Sequence, residues 1–167
     1  MTTQPPRITA DPLGLRGGGE GAITGTVVCA AAIAYGAGHL DSLHQVVIAI
    51  VGTVGVYWLA HLHAETIGHS LANNRHPLLS LRHALAETLP LVAASVIPLV
   101  VLLAASLFGA TLRNASWAAL FTTIALLAAY SYLAGVRGGL DLGGRIASAA
   151  AGAGIGVLVV LLKVALH

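Results

Sequence analysis

Five apolar runs occupy most of this chain, at roughly 22–38, 45–67, 85–109, 115–135 and 146–166. A hydrocarbon layer about 30 Å thick takes ~20 apolar residues to cross as a helix. Backbone N–H and C=O groups find no water there, so each run is expected to satisfy them internally as a helix. The strict alternation of outer-membrane strands is absent. Only 8% of the residues are charged, against roughly 25% in a soluble domain, so a water-facing surface cannot be assembled from them. The expected fold is all-α: a polytopic integral membrane protein with five transmembrane helices, placed in a bacterial plasma (inner) membrane with the lipid bilayer as its main partner.

The positive charges give an orientation. With five spans, the N-terminus and the 2–3 and 4–5 connections share one side, which carries Arg7, Arg16, Arg75, Arg82, Arg137 and Arg145. The other side has only Arg113 and Lys163. Cytoplasmic loops are the ones enriched in Lys and Arg, so the N-terminus is expected in the cytoplasm and the C-terminus outside. Residues 1–19, with Pro5, Pro6, Pro12 and a glycine run, read as a disordered cytoplasmic tail ahead of a single transmembrane domain, 20–167. The string AYGA at 34–37 imitates a signal cleavage site, but the first run reads as a retained helix. Cys29 is the only cysteine, so no disulfide forms within the chain and no CxxC metal motif exists. It is expected to be a small packing residue. A net charge of +2, scattered between apolar runs, gives no basis for nucleic-acid binding.

The polar exceptions carry the chemistry. His61, Glu65 and His69 recur every fourth residue at the end of the second run, which places them on one helix face. His83 and Glu87 repeat that spacing at the start of the third. Consecutive spans run antiparallel, so the two sets share one membrane depth on the cytoplasmic side. If their faces meet, imidazoles and carboxylates converge, a donor set that suits divalent first-row metals. Imidazole titrates near neutral pH, so the same set suits a proton relay. Intramembrane carboxylates are costly and point to function by default. The bland alternative is that these residues reach headgroups and water at the ends of their spans. His39, Asp41 and His44, on the other side, read as a solvated loop.

Three further features bear on packing. Ser148, Gly152 and Gly156 form a small-residue face in the fifth span, suited to close approach within the chain or between chains. Pro90 and Pro98 fall in the third span; Pro90 reads as a first-turn position and Pro98 as a kink or hinge. The segment 68–84 reads as the one long polar connection, within which 78–85 form an amphipathic turn or two at the cytoplasmic surface with Leu78, Leu79, Leu81 and Leu85 turned toward lipid. No Walker loop and no Ser-His-Asp set can be assigned, so the chain is not expected to be an enzyme.

Several strings resemble the vacuolar iron transporter family. Glu20-Gly21 opens the first span, as an acidic residue and glycine do in that family. GTVGVYWLAHLHAE places Gly52, Gly55, His61 and Glu65 in the family's second-span pattern, with His61 where the family has methionine. ALAETLPLVAASVIPLVVLL is similar to its proline-containing third span, and ALFTTIALLAAYSYLAGVRG followed by RIASAAAGAGIGVLVVLL to its last two helices. The family's asparagine-aspartate-glycine signature is reduced here to Glu20-Gly21, and 68–84 is too short for its cytoplasmic metal-capturing helices. The resemblance implies a homodimer that exports Fe²⁺ or Mn²⁺ from the cytoplasm against protons. It carries the metal as cargo, with no permanently bound cofactor. Glu20, His61 and Glu65 would line the path, with His69 and Glu87 near its cytoplasmic mouth. The competing reading is a small membrane scaffold or accessory subunit without transport activity. It expects the titratable residues to snorkel outward and the fifth-span small face to receive a foreign helix. Glu65 and Glu87 more than roughly 12 Å apart would count against the transport reading, because metal–ligand bonds are only about 2 Å long.

Overall fold

In the computed structural model, residues 19–73 and 77–165 are described, and they form five helices joined by short connections. These are α1 (Glu20–His39), α2 (Leu43–Asn73), α3 (Pro77–Leu107), α4 (Leu112–Arg137) and α5 (Leu142–Ala165). All five are long and apolar enough to cross a membrane. The expected tail at 1–18 lies outside the described residues.

Helices α3 and α4 end where the sequence supplies a stop. Gly109 (φ 86°) and Gly139 (φ 71°) take the left-handed conformation after α3 and α4. There the N–H groups of Ala110 and Leu140 reach back to the carbonyls of Ala105 and Gly135, each at 3.0 Å, as a Schellman ending requires. Thr111 caps α4, its hydroxyl accepting from Asn114 N–H. Asp141 does the same for α5 through Gly144 N–H at 2.9 Å.

Two expectations about α2 and α3 are corrected. Residues 68–84 are mostly helix rather than a long connection: α2 continues to Asn73 and α3 begins at Pro77. Apolar length reports where lipid ends, whereas a helix can run on into water. Pro90 is therefore no first-turn residue but lies deep inside α3, as does Pro98. The true first position is Pro77, where a missing N–H costs nothing.

The helix α1 sits at the centre, in contact with all four others. Its composition permits this: Ala22, Gly25, Thr26, Cys29, Ala30 and Ile33 are buried, mostly small, and recur at helical spacing. At Gly25 a β-carbon would collide with the backbone carbonyl of Leu91, so α1 and α3 cross at backbone contact. Gly152 and Gly156 do the same for α5 on α4, against Leu127, Ser131 and Ile124. Helix α2 packs against α1 and α3 at one edge, and α5 against α4 and α1 at the other. Two buried hydroxyls bond within their own helix: Thr26 donates to Ala22 O at 2.8 Å and Ser116 to Leu112 O at 2.8 Å.

Candidate metal centre at the α2–α3 seam

Near the end of the bundle that carries the α2–α3 connection, the polar residues of the two helices meet. Glu87 Oε2 accepts a 2.6 Å hydrogen bond from His69 Nε2, an ion pair that crosses from α2 to α3. Glu87 Oε1 lies 3.3 Å from His83 Nε2, one turn away on α3. The His69 and His83 rings meet edge to face at 5.0 Å. On α2, Glu65 bridges its neighbours more loosely, 3.8 Å from His69 Nε2 and 3.9 Å from His61 Nε2. Imidazole and carboxylate thus alternate along His61, Glu65, His69, Glu87 and His83. Both carboxylates come within reach of the single nitrogen His69 Nε2, well inside the roughly 12 Å limit set above.

His69, His83 and Glu87 each offer one ligand atom, and these atoms all lie within 4.8 Å of one another. Around a cation with bonds of about 2 Å, neighbouring ligand atoms sit roughly 3–3.5 Å apart. Small side-chain rotations would close that difference, and His83, 67% exposed, has room to make them. Two imidazoles and a carboxylate form a borderline-soft set, better matched to first-row metals than to Mg²⁺ or Ca²⁺. Three protein ligands leave coordination positions open for water or exchange.

The other expected site residues fall differently. His61 and Glu65 adjoin the trio on α2 without joining it, and His61 stacks on Tyr57 with centroids 6.2 Å apart. Glu20 stands exposed at the start of α1, and none of the described ion pairs or hydrogen bonds links it to the seam. Across the bundle, His39 is held by its own helix through Tyr35 O at 3.0 Å, while Asp41 and His44 are exposed.

The expectations from sequence missed what fastens the seam. Trp58 Nε1 donates to Thr88 Oγ1 at 3.1 Å, just inward of the cluster. Trp58 precedes His61 by three residues, so helical spacing could have placed it on the same side. Beyond it the seam opens into an apolar groove of about 310 Å³, lined by residues including Val54, Gly55, Val92 and Leu99, with Ser95 as the one hydroxyl. The polar site is thus confined to one end of the α2–α3 seam.

The fold and this cluster define a class: a bundle of five membrane-length helices with a histidine–carboxylate centre between two of them. No family model, curated protein or solved structure matches the chain.

Proposed function

We propose that this chain is a proton-coupled divalent-metal transporter whose cytoplasmic mouth is formed by His69, His83 and Glu87. The observation that carries the reading is their convergence, with every ligand atom within 4.8 Å of the others. Glu65 and His61 continue inward along α2 and receive the ion or its displaced protons. A metal arriving at His69 Nε2 must replace the hydrogen bond to Glu87, so capture is accompanied by proton release. The resemblance to the vacuolar iron transporter family adds Fe²⁺ or Mn²⁺ as cargo, export from the cytoplasm, a homodimer, and a place for Glu20 at the start of the path. Pro98, fully buried in α3, leaves the Ala94 carbonyl without its helical donor and is the candidate hinge.

The apolar seam beyond Trp58 favours a second reading, a metal-binding accessory subunit that moves nothing across the bilayer. One experiment tests both. Uptake of Fe²⁺, Mn²⁺, Co²⁺ and Zn²⁺ into proteoliposomes is measured under an imposed pH gradient, beside equilibrium binding in detergent. Transport expects flux that follows the gradient and disappears in Glu65→Gln and Glu87→Gln. Binding without flux supports the accessory reading, and neither binding nor flux in folded protein refutes both.

A further inference from the structure

The stripe of α2 that turns toward α3 continues inward past the metal ligands. Trp58, His61, Glu65 and His69 recur at intervals of three and four and are all half-buried, whereas Leu59, His63 and Ala64 between them are exposed. On α3 the inward stripe is Ser80, Ala84, Thr88, Leu91 and Ser95, all buried. Glu87 stands beside that stripe, about 100° round the helix from Thr88. The two stripes touch at Trp58 Nε1, which donates to Thr88 Oγ1 at 3.1 Å. Thr88 is 1% exposed, and its own hydroxyl donates to Leu85 O at 3.4 Å. The lone pairs of that oxygen are thereby left for Trp58.

This hydrogen bond sets how far α3 is turned about its own axis relative to α2. Inward of Trp58 the seam is an open apolar groove, and a β-carbon at Gly55 on its wall would meet nothing within 4 Å. Packing across such a gap resists rotation weakly, because surfaces held apart make few contacts. Turning α3 so that Thr88 leaves the seam carries His83 and Glu87 with it, since all three project from one helical backbone. His69 stays behind on α2. The spacing of the three metal ligands therefore depends on a hydrogen bond that none of them makes.

We propose that Trp58 and Thr88 are positioning residues of the metal centre, whose hydrogen bond holds His83 and Glu87 at the distance from His69 that a small first-row cation requires. The proposal rests on the reading of His69, His83 and Glu87 as that centre. A held spacing discriminates by ion size, because selectivity among divalent first-row metals is achieved through geometry as well as ligand type. Zn²⁺, with bonds of about 2.0–2.2 Å, gains more from it than the larger Mn²⁺.

The test measures Zn²⁺ and Mn²⁺ affinity by titration calorimetry on the full chain in detergent. Thr88→Val keeps the shape and removes the acceptor, and Trp58→Phe keeps an aromatic ring and removes the donor. Each should weaken Zn²⁺ binding about tenfold, as for other groups that orient metal ligands, and Mn²⁺ binding by less. Thr88→Ser retains the hydroxyl and should bind Zn²⁺ as the wild type does. The double variant should lose no more than either single one, since both remove the same bond. Unchanged Zn²⁺ affinity in Thr88→Val, equal losses for the two ions, or losses that add in the double variant overturn the proposal and leave the metal centre standing. A wild-type chain that is folded by circular dichroism yet binds neither ion removes the centre and the proposal together.

Discussion

Glu87 is the residue on which the proposed metal centre turns, because its two oxygens face two different imidazoles. Glu87→Gln keeps the shape and removes the charge. It should weaken Co²⁺ or Zn²⁺ binding at least tenfold, which titration calorimetry would show. Tyr130 presents the opposite case. It is 4% exposed between Ala22 and Ala94, and its hydroxyl has no hydrogen-bond partner among the described residues. A buried polar group without a partner bears its full desolvation cost. Tyr130→Phe should therefore stabilise the fold by about 1 kcal/mol, read as a higher midpoint in thermal unfolding. Nothing in the sequence marks Tyr130 as unpartnered, since that depends on what α1 and α3 place around it.

At the scale of elements, the two edge helices are held by different means. The helix α5 meets α4 backbone to backbone through Gly152 and Gly156, whereas Gly52 and Gly55 of α2 face open space. Gly152→Leu should destabilise by about 3 kcal/mol through overpacking against Leu127 and Ser131. Gly52→Leu should change stability by less than about 0.5 kcal/mol. Denaturant titration of both variants checks the contrast. Much of this was legible in the sequence. The five spans followed from apolar length, and the small face of α5 from its four-residue spacing. What that face meets was not legible, because small residues pack equally well on a helix of the same chain or of another. The helix ends were misplaced for a related reason: hydropathy registers the end of an apolar run, and the hydrogen-bonded ladders of α2 and α3 extend beyond it. The convergence of His69 with His83 and Glu87 could be anticipated from i, i+4 spacing and antiparallel neighbours. The position of Glu20 could not, because the approach of α1 to α3 is set by Gly25 against Leu91.

Considered whole, the molecule gathers its described histidine–carboxylate pairs at one end of the α2–α3 seam. Metal ligands must lose their protons before they bind. Apparent affinity for Co²⁺ should therefore fall by at least tenfold from pH 8 to pH 6, and calorimetry at both values would measure it. The described ligand set takes one residue from α2 and two from α3, across the seam that the His69–Glu87 ion pair and the Trp58–Thr88 hydrogen bond help to hold. An ion seated there becomes a clasp between the two helices. Any ligand that binds only the folded chain raises its stability, by ~2.7 kcal/mol at a hundred times its dissociation constant. Melting temperature then reports on metal selectivity: the cations this site accepts should raise it, Mg²⁺ should leave it unchanged, and Glu87→Gln should abolish the rise.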